Sequence, residues 1–178
     1  KPQESYHDKV RVLYTQNKMS QQLSAAKPRA GSRDLRQVNQ TPERVLDAPG
    51  IVDDFYLNLI DWSNNDTLAV ALEGALYLWN PATGVPDLLL ELPENDVITS
   101  VRWTADSSHV AVGTNSCEIH LWNAECKKQV RSMKGHQARV GAMAWSNYIL
   151  SSGSRDTSIF HHDVRVANHH FATLKGHT

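Results

Sequence analysis

The chain has 178 residues with a net charge of −1, enough length for one sizeable core and no global field that points to nucleic acid or a membrane. No apolar run approaches the ~18 residues of a membrane-crossing helix, and the opening KPQESYHDK lacks the apolar stretch of a secretory signal. Two cysteines, Cys117 and Cys126, offer no CxxC spacing and no disulfide framework; together these features predict a soluble intracellular chain.

Residues 1–50 carry nine Lys/Arg against five Asp/Glu and four prolines, with abundant Gln and Ser. A segment of that kind buries too little apolar area to offset its backbone entropy, so it is expected to be a mostly disordered arm. One patch within it, VRVLY at 10–14, alternates like a strand. Thr41-Pro42 fits a minimal proline-directed phosphorylation pattern.

Residues 51–178 read as strand, turn, strand, with no convincing helix. The first unit, about 54–92, reads YLNLIDW, TLAVALE, ALYLWN and DLLLEL; the second, about 97–134, reads ITSVRW, HVAVGT, EIHLWN and QVRSMK. The third, about 139–175, reads VGAMAW, YILSSG, SIFHHDV and HHFATLK. Turn-formers such as Ser63-Asn64-Asn65-Asp66 and Pro81-Ala82-Thr83-Gly84 divide the runs. Trp62, Trp103 and Trp145 close the first runs at spacings of 41 and 42, and Gly135-His136 recurs 41 residues later as Gly176-His177. Four strands per period of about 40–45 residues, with Gly-His at one end and Trp-Asp-like pairs at the other, is the signature of a WD-type β-propeller. The predicted fold is all-β: about three four-stranded blades of an expected seven, preceded by an extended arm.

In such units a His, a strand Ser/Thr, a turn Asp and a strand Trp form a buried hydrogen-bonded stack. Here His136, Ser152 and Asp156 are the candidates for that structural network, and His162 stands where Trp is expected. Nine histidines invite a metal, but neighbours such as His161-His162 point to opposite faces of a strand, so no metal and no cofactor are expected. The chain lacks GxSxG, phosphate-loop and kinase signatures, which argues against an enzyme. The basic arm has scattered charges without interleaved aromatics, so neither nucleic acid nor membrane is an expected partner.

Two phrases lie outside general WD grammar: Arg44-Val45-Leu46-Asp47-Ala48-Pro49, and Asp54-Phe55-Tyr56-Leu57-Asn58-Leu59. With His136-Gln137-Ala138-Arg139-Val140-Gly141 and His161-His162-Asp163-Val164-Arg165, they resemble the Fizzy family, substrate-recruiting coactivators of the anaphase-promoting complex. The last phrase and Lys9–Tyr14 look closer to the mitotic branch. The resemblance covers about residues 42–178 and implies a non-enzymatic adaptor that binds destruction-box and Lys-Glu-Asn degrons. It further implies ligase subunits, degron-bearing substrates and spindle-checkpoint proteins as partners, and nucleus and cytoplasm as location. Asp54 matches the acidic position that receives the degron arginine, and Asp61 is a candidate partner for the degron lysine. A groove between the second and third blades, which binds hydrophobic motifs in the family, would have both walls here. The family's C-box, checkpoint motif and terminal Ile-Arg have no counterpart in the chain, so a piece of a longer propeller, prone to associate, is expected. The alternative is a generic WD scaffold for another complex.

Overall fold

The computed structural model describes residues 38–178. The VRVLY patch and most of the expected arm lie outside the described residues. The chain divides into two units, Lys1–Val45 and Leu46–Thr178. Of the first, residues 38–45 are described; all are exposed and without strand or helix.

The second unit contains twelve strands and, among the described residues, no helix. They form three four-stranded antiparallel sheets in simple up-and-down order. The first sheet is β1 (Ile60–Trp62), β2 (Leu68–Leu72), β3 (Ala75–Trp79) and β4 (Pro86–Glu91). The second is β5 (Ile98–Trp103), β6 (His109–Thr114), β7 (Ile119–Asn123) and β8 (Lys128–Met133). The third is β9 (Val140–Ser146), β10 (Ile149–Ser154), β11 (Ser158–Asp163) and β12 (His170–Lys175).

The period is written into the backbone as well as the side chains. Asp66, Ser107 and Asn147 occupy equivalent hairpins and share a left-handed conformation, with φ of 54°, 60° and 53°. Short polar side chains tolerate that region better than branched ones, which is why turn-formers mark these positions.

Alternation along each strand supplies two cores from one sheet. On β6, Val110 and Val112 pack with Leu76, Leu78 and Leu90 of the first blade. Ala111, between them, packs with Met143 and Leu150 of the third. All three β6 residues are fully buried. The middle blade is therefore covered on both faces by its neighbours, as stacked repeats require.

Inter-blade hydrogen bonds join positions about one period apart. Asn64 Nδ2 donates to the Ala105 carbonyl at 2.7 Å, and Thr99 Oγ1 and Ser100 Oγ both donate to the Val140 carbonyl at 2.6 Å. At the outer edge Arg131 donates to the carbonyls of Val164, Val166 and Ala167, pinning the second blade to a loop of the third.

One run departs from expectation. YLNLIDW was expected to form one strand, yet the strand is only Ile60–Trp62, with the Leu59 carbonyl accepting from the Ala71 N–H of β2 at 2.8 Å just before it. Asn58 instead bridges Ser100 of the second blade in parallel, donating its N–H to Thr99 O at 3.1 Å and accepting from Val101 N–H at 2.8 Å. The chain thus enters the propeller across the inner edge of the neighbouring blade.

Candidate functional site

That entry segment builds the site. Asp54 and Tyr56 form a side-chain-capped turn: the Tyr56 N–H donates to Asp54 Oδ1 at 2.8 Å, and the Leu57 N–H donates to the Asp54 carbonyl at 3.0 Å. Asn58 Nδ2 then donates to the Gly141 carbonyl at 2.6 Å, tying the segment to β9. Gly141 is required by space, because a Cβ there would lie 2.9 Å from the Tyr56 carbonyl.

Segment and blade enclose an open cavity of about 940 Å3, lined in part by Asp54, Tyr56, Arg139, Arg155 and Ile159. At its rim Phe55 is 94% exposed and Tyr56 69% exposed, two rings meeting edge to face 5.5 Å apart. Exposed aromatics beside a carboxylate are the residue types that anchor peptides. The Tyr56 N–H, opposed by partial burial and aided by the Arg139 charge, lowers the Asp54 pKa below its usual 3.8. Arg139 Nη1 donates to Asp54 Oδ2 at 3.2 Å, joining residues 85 apart in sequence. At neutral pH the site therefore presents a charged carboxylate facing a guanidinium.

Asp61 lies elsewhere and is already engaged. Its Oδ2 accepts from the Trp103 N–H at 2.7 Å, and its Oδ1 accepts from Arg102 Nη1 at 3.3 Å. These bonds clasp the first blade to the second.

The structure brings His136, Ser152 and Asp156 together in the third blade. His136 Nδ1 lies 2.9 Å from Asp156 Oδ2, and its Nε2 lies 2.8 Å from Ser152 Oγ. Ser152 Oγ also lies 3.0 Å from His162 Nε2, and His162 Nδ1 lies 2.9 Å from His169 Nδ1. The proton order follows from Asp156, which only accepts when ionised. His136 donates to it from Nδ1, Ser152 donates to His136 Nε2, His162 donates from Nε2 to Ser152, and His169 donates from Nδ1 to His162. Burial works against the Asp156 charge, but bonds from Ser158, the Gln137 N–H and His136 outweigh it and hold its pKa well below the usual range. His162 takes the place of Trp by supplying the same single N–H donor. The second blade lacks the network: Val112, paired with His120, stands in the place of Ser152, and the buried Trp122 indole N–H has no partner.

Burial, reinforced by neighbouring histidines, depresses the His162 pKa from 6.5 to about 3. The unfolded chain binds this proton below pH 6.5 and the folded chain does not, so stability falls as pH drops from 6.5 toward 3. We expect denaturant unfolding at pH 5 to show a loss of about 2 kcal/mol from this group relative to pH 8. A flat profile over that interval would contradict the buried, neutral assignment.

Among the described residues no group of three or more His, Cys, Asp or Glu side chains is placed to hold a metal ion. Asp106, Ser108 and His109 sit together, but Ser108 Oγ bonds the carboxylate directly at 2.7 Å as well as His109 Nδ1 at 2.6 Å. This is a turn fastener, since the carboxylate orients the serine rather than the imidazole. Cys117 and Cys126 are both free thiols. Arg139 and Gly141 carry site geometry that sequence reasoning did not assign; Gly141, beside the Arg139-Val140 pair, was a signal of close backbone approach.

The WD domain, G-beta repeat family matches residues 87–123 and 127–163. Each match starts on or beside the outermost strand of one sheet and ends in the next, so the sequence repeat is staggered against the blade. The chain is 51% identical over 170 residues to "Anaphase-promoting complex subunit cdc20" of Dictyostelium discoideum, covering 95% of this chain and 34% of that protein. It is 50% identical to "WD repeat-containing protein slp1" of Schizosaccharomyces pombe, covering 80% of this chain and 29% of that protein. A chain in a crystal structure of the mitotic checkpoint complex superposes with a TM-score of 0.77 at 49% identity, over 84% of this chain and 46% of that one. The chain thus spans about a third of the length of these curated relatives. By its repeats, its three blades and its identity to these relatives, the chain is a WD-repeat chain similar to these Cdc20-type proteins over about a third of their length.

Proposed function

We propose that the chain contributes the first blades of a substrate adaptor and activator of the anaphase-promoting complex, a binding protein rather than a catalyst. The observation that carries this reading is the Asp54-Phe55-Tyr56 site: a partly exposed, ionised carboxylate beside exposed aromatics at the mouth of a cavity. Such a carboxylate suits the guanidinium of a destruction-box arginine. The Dictyostelium relative, a subunit of the anaphase-promoting complex by its name, supports ligase association, and the checkpoint-complex neighbour supports spindle-checkpoint partners. The same role predicts residence in nucleus and cytoplasm. Asp61 adds less support as a reader of Lys-Glu-Asn, because its carboxylate is less exposed than that of Asp54 and fastens the blade junction through Trp103 and Arg102.

Fluorescence anisotropy with labelled degron peptides and the protein at its natural full length tests this. Asp54→Ala is expected to weaken destruction-box binding by about 1–3 kcal/mol, the order of a charge-assisted hydrogen bond lost. An unchanged dissociation constant would remove Asp54 from the assignment. No preference for either degron over scrambled peptides would favour a scaffold for another complex.

A further inference from the structure

Asp54 has little carboxylate capacity to spare. Its Oδ1 is held by the Tyr56 N–H, leaving Oδ2 to meet Arg139 through one contact of 3.2 Å. An arginine–carboxylate pair at full strength is bidentate, with contacts of about 2.7–2.9 Å. The Arg139 contact is longer, single and open to water, with the two side chains 23% and 30% exposed. Such a pair holds weakly and exchanges readily.

The cations beside it are crowded. The Arg155 N–H donates to the Arg139 carbonyl at 3.1 Å, fixing the two residues on one wall of the cavity. Among the described residues the Arg155 side chain makes no ion pair, yet its charge reaches Asp54 and helps lower its pKa. Two guanidinium groups therefore share one carboxylate.

We propose that Asp54 and Arg139 form an internal clasp that an incoming guanidinium must displace, and that this exchange selects arginine-bearing peptides carrying a carboxylate next to the arginine. The proposal rests on the reading of Asp54 as arginine receptor given above. Once a ligand arginine takes Asp54, Arg139 is released beside Arg155 with no anion to face. A carboxylate on the ligand restores the balance, whereas a lysine in its place adds a further cation to the wall. The clasp thus sets both a threshold for entry and a preference in charge.

The test compares three labelled peptides against the full-length protein: a plain arginine-leucine peptide, the same peptide with Glu next to the arginine, and the same with Lys there. Wild type is expected to bind the Glu peptide more tightly than the Lys peptide, with a gap that closes in high salt. Arg139→Gln, which keeps the stem of the side chain, should tighten the plain peptide about two- to fivefold, the strength of an exposed ion pair no longer competing. Arg155→Gln should shrink the Glu-over-Lys gap and tighten the plain peptide less than Arg139→Gln does. Should Arg139→Gln fold poorly by thermal melting, Arg139→Lys replaces it, with tightening expected because ammonium makes a less directional partner. Asp54→Asn separates the two readings. If it leaves the affinity of the plain peptide unchanged, the receptor assignment itself fails. If it weakens binding while the Arg139 variants do not tighten it, the receptor stands and the clasp is overturned.

Discussion

Ser152→Ala is expected to lower the stability of the propeller region by about 2–4 kcal/mol, the largest effect of any single polar substitution here. The Ser152 hydroxyl is fully buried and lies between two imidazoles, at 2.8 Å from His136 and 3.0 Å from His162. Its removal strands an acceptor on His136 and a donor on His162, and each unpaired buried group costs about 1–3 kcal/mol. Both rings are themselves buried, so water cannot replace the hydroxyl cheaply. Ser152→Thr retains the hydroxyl and should lose much less. Urea unfolding of the three proteins decides the matter: a loss below about 1 kcal/mol for Ser152→Ala would show that the network is not load-carrying in the folded state.

Gly113→Ala is the second large effect, at about 3 kcal/mol, near the top of the range for overpacking. A Cβ at this position would overlap Ser100 Oγ and sit 2.8 Å from the Val140 carbonyl. That carbonyl is the acceptor shared by Thr99 and Ser100, which is the junction between the second and third blades. The backbone of β9 must retreat, so hydrogen exchange should accelerate at Val140–Met143 while β2 and β3 of the first blade stay protected. Gly176 has nothing within 4 Å of its would-be Cβ, so Gly176→Ala serves as a neutral control. Equal protection in Gly113→Ala and wild type would refute the steric account.

The sequence made the architecture readable because a blade is short and its signals are local. Trp103 and Trp145 each close a run that forms β5 or β9, and the apolar run HVAVGT forms β6. His136, Ser152 and Asp156 could be grouped because they belong to one unit and one motif. The continuation through His162 to His169 was not read, since it depends on ring orientation rather than spacing. Apolar alternation along Leu57–Leu59 reads as strand but does not reveal which sheet each residue joins: Asn58 bridges the neighbour's, while the Leu59 carbonyl bonds to Ala71 of its own. The pairing of Asp54 with Arg139 was hidden for the same reason. It spans two blades, and no periodicity records which charge meets which across a cavity.

The stagger between repeat and blade, with bonds linking points one period apart, also has a temporal meaning. Trp103 N–H finds Asp61, and Asn64 finds Ala105, after gaps of 42 and 41 residues. Each new blade thus closes a loop of nearly the same length onto one already present, at nearly the same entropic cost. A ribosome adding about 5–20 residues per second delivers such a gap in roughly 2–8 s. The propeller can be laid down as a succession of equal steps, each docking on the last, so that its order of assembly is the order of its synthesis.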